Sequence, residues 1–413
     1  MIRPLLACSI LTLASFAGDS WPQFRGPLQN GVSDAKALPL EWSEQKNVKW
    51  KTEIPGEGWS SPIVGNGQIW LTTALSEGRS LRAICVDPAN GKILRDIEVF
   101  KNENPPAKHK RNSYASPTGI IDGDRVFVHF GPMGTACLDA KTGSVRWENR
   151  ELIYDPQNGP GGSLAMWKDK LLIACDGMDA QFEAVLDKAT GKLVRKTPRD
   201  APELLPLRDE MRKAYGTPVV MQIDGRAQSL TTASNRLYAT DPETGAELWH
   251  VKYPLGFSNV PLPVSDGRMM VVSTGFMKPV LLGIKVGGAK ADATATHVQW
   301  RQIKGAPDQC SPIIVGDRVY ATTSGGILSC LNLQTGDIVW QERIGSDFAA
   351  SPIFAAGRLY LFAAAGPCTV IKPGDSFQKL AENTLDAGCM ASPAVVSDAL
   401  IVRTKTHLYR IGQ

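Results

Sequence analysis

Asp139-Ala140-Lys141-Thr142-Gly143, Asp187-Lys188-Ala189-Thr190-Gly191 and Asp241-Pro242-Glu243-Thr244-Gly245 repeat one turn at near-equal intervals. Asp87-Pro88-Ala89-Asn90-Gly91 and Asn332-Leu333-Gln334-Thr335-Gly336 give it twice more. An Asp or Asn at the first position accepts hydrogen bonds from turn amides. The Gly at the last takes a positive φ that returns the chain to an antiparallel ladder. Trp147, Trp249 and Trp340 each follow their Gly by four residues, and Trp50 and Trp300 hold the same place where the turn has diverged. Recurrence at matched places between apolar runs marks an internal repeat.

The other half of the repeat is a small residue and a proline, an apolar run, a Gly turn and a second apolar run. Ser61-Pro62, Ser116-Pro117, Ser311-Pro312, Ser351-Pro352 and Ser392-Pro393 open five such units. Thr217-Pro218, Val260-Pro261 and Ser163-Leu164 are variants. The eight starts therefore fall at 62, 117, 164, 218, 261, 312, 352 and 393, with spacings of 40 to 55 residues. Each unit supplies four short strands. Stacking such sheets around an axis buries both faces of each, and leaves only short edges. The sequence predicts an all-β fold, an eight-bladed β-propeller of four-stranded antiparallel blades, with the recurrent Trp wedged between blades. Only twenty residues follow Pro393, enough for three strands, so the segment from Asn47 to Ile54 is expected to close the last blade. Closure of this kind removes an open edge.

The 413 residues carry a formal charge of +4 and are 43% apolar and 21% charged. That profile gives no support for a nucleic-acid or polybasic membrane binder. Arg3, the apolar run from Leu5 to Phe16 and the small residues Ser15 and Ala17 read as a signal peptide over 1–17. Residues 18–413 are then one exported domain, periplasmic or extracellular, expected to be a monomer without a transmembrane segment. Eight cysteines become seven after cleavage. They form no C-x-x-C pair, which argues against zinc ribbons, thioredoxin chemistry and c-type haem. Cys85, Cys137 and Cys330 precede the turn Asp or Asn and read as small apolar strand residues.

The Asp-x-x-Thr-Gly-x-x-x-Trp units resemble the tryptophan-docking repeats of pyrroloquinoline-quinone (PQQ) dehydrogenases and of the related BamB outer-membrane assembly scaffolds, over nearly all of the mature chain. Trp21-Pro22-Gln23-Phe24-Arg25-Gly26, Gly58-Trp59-Ser60-Ser61-Pro62 and Asn112-Ser113-Tyr114-Ala115-Ser116-Pro117 are similar to an exported group of PQQ-like propellers common in planctomycete-type bacteria. The resemblance implies the propeller. It does not carry over a catalytic set: the dehydrogenases have a vicinal cysteine pair beside the quinone, and this chain has no adjacent cysteines. Their Glu/Asn/Asp calcium set matches no motif here.

The residues just before each start, Trp59, Tyr114, Tyr215, Asn259, Gln309, Ala350 and Met390, are expected to ring the mouth of the central channel, where large aromatics suit a ligand or a partner side chain. The basic run His109-Lys110-Arg111-Asn112 is suited to an anionic group. Loops carrying Met133, Met178 and Met277 should offer adaptable apolar surface on the same side. The insertion from 198 to 216 has apolar residues at roughly helical spacing, interrupted by Pro206. Asp155 to Asn158 and Asp176 to Asp179 lack the terminal Glu of an EF-hand loop, so no metal site is assigned. Phosphate loops, G-x-S-x-G elbows and dinucleotide fingerprints are missing.

Three readings follow. The leading one is a non-catalytic envelope propeller that binds a protein or saccharide at the channel mouth. The second is a quinoprotein oxidising an alcohol or sugar, with PQQ and Ca²⁺ in the funnel beside Trp59, Tyr114 and Arg111. The third is a carbohydrate-active lyase or hydrolase, which needs paired carboxylates that the expected ring does not contain.

Overall fold

The computed structural model describes residues 20–199 and 201–412, so the expected signal peptide lies outside the described residues. Eight antiparallel sheets follow one another around an axis: blades 1 to 7 span 63–101, 120–149, 165–198, 219–252, 264–302, 313–343 and 353–383. Blade 8 consists of Ala394–Val396, Ala399–Arg403 and His407–Gly412, completed by Val48–Glu53 from the start of the chain. The expected closure is present, with Trp50 opposite Arg410 and Glu53 opposite His407. Blade 4 has an unforeseen fifth strand, Ala291–Asp292, lying parallel to its outer strand.

Each first strand begins on the mouth side and lines the axis. The residue before the proline sits in two runs of hydrogen bonds, one joining blades 1 to 4 and one joining blades 5 to 8. The Ser61 amide donates to Thr118 Oγ1 (2.9 Å), Thr118 to Ser163 Oγ (2.9 Å) and Ser163 to Thr217 Oγ1 (2.8 Å). Leu262 continues to Ser311 Oγ (3.0 Å), Ser311 to Ser351 Oγ (2.9 Å) and Ser351 to Ser392 Oγ (2.9 Å). These bonds correct two starts. First strands Ile120–Asp122 and Val264–Ser265 place Gly119 and Pro263, not Pro117 and Pro261, in the position of Pro62. In both blades the sequence offers a proline two residues early, which draws the register upstream.

The repeated turn behaves as its chemistry requires. Asp139 Oδ1 accepts the amides of Lys141 (2.9 Å) and Thr142 (2.7 Å), the Gly143 amide returns to the Asp139 carbonyl (2.8 Å), and Gly143 has φ 80°. Every outer strand carries a β-bulge at one equivalent place, which in the five blades that keep the turn lies beside the residue four places after its Gly. A bulge re-aims one side chain, here towards the next blade's turn. Trp147 donates its indole N–H to Lys188 O (3.1 Å) and lies on Gly191, where a Cβ would sit 2.3 Å from the ring. Trp50, Trp300 and Trp340 make the same contact to Pro88, Leu333 and Gly374. Trp249 differs, since its indole bonds Gln228 Oε1 of its own blade (2.8 Å).

Blades without the Trp solve the problem in other ways. Arg95 and Arg195 hold the docking position in blades 1 and 3, packing on Gly143 and Gly245 and donating to the carbonyls of Lys141 and Glu243. In blade 7 the position is Ala381. There Trp42, from the chain before the closing strand, stacks on Tyr360 (6.1 Å) and Phe362 (6.2 Å). All seven described cysteines are free and buried. Cys85, Cys137 and Cys330 face Arg95, Trp147 and Trp340 across the sheet. The expected helix at 198–216 is instead two 3-10 turns, Pro202–Leu204 and Asp209–Met211, separated at Pro206.

Two predictions follow from this packing. Trp147→Ala opens a cavity against Gly191 and should cost about 3–5 kcal/mol in urea unfolding. His129 is buried beside Thr135 Oγ1 (2.8 Å), and burial pushes its imidazole down to about 4. The unfolded chain takes up that proton nearer pH 6.5, so it binds more protons than the folded chain between the two values. Stability should therefore fall as pH drops through this window. The fall should be on the order of 3 kcal/mol larger than in His129→Gln.

Candidate functional site

The axis is filled by the chain itself. An innermost strand has a neighbour on one side only, so its other edge points unpaired carbonyls and amides at the axis. Residues 21–35 meet them. Trp21 pairs with Val64 of blade 1 in both directions (2.8 and 2.9 Å), and the Pro22 carbonyl accepts the Ile121 amide of blade 2 (2.9 Å). The chain then rises to the level of the blade starts. Arg25 donates to Pro312 O (3.0 Å) and Pro352 O (3.3 Å) of blades 6 and 7, and to Asn30 O (2.7 Å) within the plug. Gln29 donates to Pro218 O of blade 4 (3.2 Å). The segment descends along blade 7, where the Ser33 amide donates to Phe354 O (2.8 Å), the Phe354 amide to Gly31 O (2.9 Å) and the Ala356 amide to Ala35 O (2.9 Å). The turn is tight, with φ 61° at Arg25, 83° at Gly26 and 53° at Gln29. Gly26 is required there, because a Cβ would lie 2.9 Å from the Trp21 ring.

Two arginines hold this end of the molecule together without a carboxylate partner among the described residues. Arg25 is 1% exposed and burial pushes its guanidinium down to about 9. Arg403 is 2% exposed and likewise lowered to about 9 by burial. It donates to Ser60 Oγ (2.8 Å), Ser60 O (3.1 Å) and Thr72 O (2.9 Å), joining blade 8 to blade 1. Gly58 makes room for it. The sequence reading assigned neither arginine a role. The available signal for Arg25 was an Arg-Gly pair in the motif that precedes the closing strand.

The residues expected at the mouth are divided by the structure. Trp59 is on the mouth side and donates its indole N–H to Arg111 O (3.1 Å). Tyr215 is half-buried there, its hydroxyl bonded to Pro156 O (2.7 Å). Gln309 and Met390 are also half-buried at their blade starts, whereas Ala350 is buried. With the corrected starts, Tyr114 and Asn259 do not belong to this ring. Tyr114 bonds Pro106 O (2.9 Å) and packs on Gly78 at the edge of blade 1. Asn259 is fully buried and its carbonyl accepts the Tyr215 amide (2.7 Å).

The basic loop is committed to internal contacts. Arg111 ion-pairs with Asp347 of the link between blades 6 and 7, which straps the loop across the mouth. Lys108 pairs with Glu57 (3.0 Å), and Asn112 Nδ2 bonds Asn158 O (2.8 Å) and Pro160 O (3.0 Å). His109 and Lys110 remain exposed. Met277 is 70% exposed as expected, but Met133 is buried. It forms the floor of an open groove of about 620 Å³ above blade 2, lined also by Asn102, Pro106, Arg150, Ile153 and Asp155. Asp155 Oδ1 and Asp179 Oδ1 each accept one backbone amide (both 2.7 Å), and no group of three or more metal-binding side chains is found among the described residues. No helix among the described residues is long and apolar enough to cross a membrane.

Comparisons with known proteins agree with this architecture. The family described as outer membrane protein assembly factor BamB matches residues 32–160 and 181–412. An uncharacterized protein of Rickettsia prowazekii is 24% identical over 297 residues, 69% of this chain and 66% of its own length, just under two thirds. Among solved structures, quinohemoprotein alcohol dehydrogenase ADHIIG of Pseudomonas putida HK5 superposes with a TM-score of 0.64 at 12% identity, covering 96% of this chain and 81% of its own. BamB of Moraxella catarrhalis gives 0.53 at 18% identity, with 74% and 80% covered. At these identities the superpositions speak for the fold alone.

Replacing Arg25 by Met keeps bulk but leaves the Pro312 and Pro352 carbonyls unpaired. It should cost about 2–4 kcal/mol in urea unfolding. Arg111→Ala, which breaks a half-exposed pair, should cost less than about 1 kcal/mol in the same measurement.

Proposed function

The chain belongs to the family described as outer membrane protein assembly factor BamB, and on that footing we propose that it is an exported β-propeller of the cell envelope that binds a polypeptide on its mouth side and catalyses no reaction. Residues 18–413 act as one domain in this reading, delivered by the leader at 1–17.

The observation that carries it is the filled axis. A quinone in the central funnel needs the space between the blade starts, and Arg25, Gly26 and Gln29 stand there, bonded to three blades. The groups that would flank such a cofactor are engaged as well: the Arg111 guanidinium by Asp347, and the Trp59 indole by the Arg111 carbonyl. The residues present do not fit an axial quinone. What the mouth side does offer is exposed apolar side chains. Ile153, Leu255, Phe276 and Met277 are each at least 50% exposed, and apolar surface of that kind on a soluble propeller favours a protein partner.

The test is a titration of the mature, Ca²⁺-supplemented protein with PQQ, following cofactor absorbance together with alcohol- or sugar-dependent dye reduction. The proposal expects no saturable binding and no turnover. Turnover that disappears in Arg111→Ala or Trp59→Ala would make the protein a quinoprotein instead.

A further inference from the structure

We infer that the groove above blade 2 docks an extended polypeptide that presents a carboxylate beside a bulky apolar side chain. This rests on the binding reading above and names the chemistry of the partner.

The groove is built before any ligand arrives. Its walls are three mouth-side segments: the link after blade 1, the mid-blade loop of blade 2 and the link after blade 2. They are pinned to one another and to blades 3 and 4. The His109 amide bonds Asn158 O (3.2 Å), the Met178 amide bonds Asp155 O (2.8 Å), and the Tyr215 hydroxyl bonds Pro156 O (2.7 Å). Walls fixed in this way lose little freedom on binding. The lining is mainly apolar: Met133 and Tyr154 form the floor, at 6% and 8% exposure, and Ile153 stands at the rim, 66% exposed. Pro106, Pro132 and Pro156 contribute no backbone N–H, so they provide shape without a competing donor.

The polar groups say what else the ligand carries. Arg150 is held in place by Phe100, whose ring centre lies 4.5 Å away, and donates to Lys101 O (3.2 Å). It ion-pairs with no carboxylate among the described residues, whereas Arg82, Arg111, Arg146, Arg195 and Arg199 all do. Nearby, Asn102 Nδ2 is buried without an acceptor. Donors lacking an acceptor beside an apolar floor suit a carboxylate attached to an apolar group. Asp155 and Gln157, exposed in the same lining, supply acceptors for the N–H groups of an extended chain. A saccharide is a poorer match, because the one aromatic ring of the lining is buried in the floor.

The mature protein should be tested by fluorescence anisotropy against a labelled hexapeptide ending in phenylalanine with a free carboxylate. Its C-terminal amide, and an amidated peptide with glutamate before the phenylalanine, complete the set. The free acid should bind. Arg150→Gln should weaken it about 10- to 100-fold, the range of a charge-assisted hydrogen bond, and Ile153→Asp should weaken it similarly. Arg208→Gln, on the same side but outside the groove, should change nothing. Binding of the glutamate peptide would place the carboxylate within a partner's chain, and its failure would place it at a terminus. Equal binding of acid and plain amide, indifference to Arg150→Gln, or no binding of any peptide overturns the inference. None of those results supplies a quinone or turnover, so the non-catalytic reading falls only by the cofactor titration.

Discussion

A blade's first strand has one neighbour where an interior strand has two, and in a ring of eight that leaves eight unpaired edges facing one axis. Backbone groups kept from water must find partners. Much of what distinguishes this propeller is an answer to that constraint. The Ser and Thr hydroxyls at the blade starts take up amides from blade to blade. The hairpin-like segment 21–35 takes up carbonyls and amides of blades 1, 2, 4, 6 and 7. A guanidinium suits the task because its planar fork reaches several carbonyls at once, which is how one buried Arg25 can serve two blades and its own turn.

The outer half of each blade solves a different problem, that of holding adjacent sheets in register. A bulge turns one side chain onto the next blade's turn, and a Trp, an Arg or a Trp borrowed from the N-terminal segment fills the place. The indole and the guanidinium are interchangeable here because both are flat and both present an N–H to a carbonyl of the next blade's turn, Trp50, Trp147 and Trp300 at its second residue and Arg95 and Arg195 at its third. The N-terminal stretch from 21 to 53 is thus axial plug, wedge and closing strand in succession, so ring closure and axial filling are a single structural event.

The architecture was legible because each of its signals is local. Asp-x-x-Thr-Gly-x-x-x-Trp is a turn, a bulge and a docking residue within nine positions, and the closing strand declared itself through Trp50. Register failed in blades 2 and 5, where Pro117 and Pro261 imitate a blade start two residues early and only the hydrogen bonds of Thr118 and Leu262 reveal the true one. The site was less legible. Trp59 and Tyr215 fell on the mouth side as expected, but Tyr114, Asn259 and Ala350 are structural. Arg111, a candidate ligand for an anion, is neutralised by Asp347, which lies 236 residues away in sequence. Contacts at that separation leave no periodicity to read. Met133 was assigned to an exposed loop and is instead the floor of a groove whose walls come from two links and a mid-blade loop.

The central claim is that the axis belongs to the chain and that binding takes place beside it. Hydrogen–deuterium exchange of the protein in water tests it most directly. Amides of Gly31, Ser33 and Ile121, bonded through the plug at 3.0, 2.8 and 2.9 Å, should exchange as slowly as those within the third strands of the blades. Rapid exchange over 21–35 and along the inner edges of blades 1 and 2, at the rate of surface loops, would contradict the account and return the channel to the list of ligand sites.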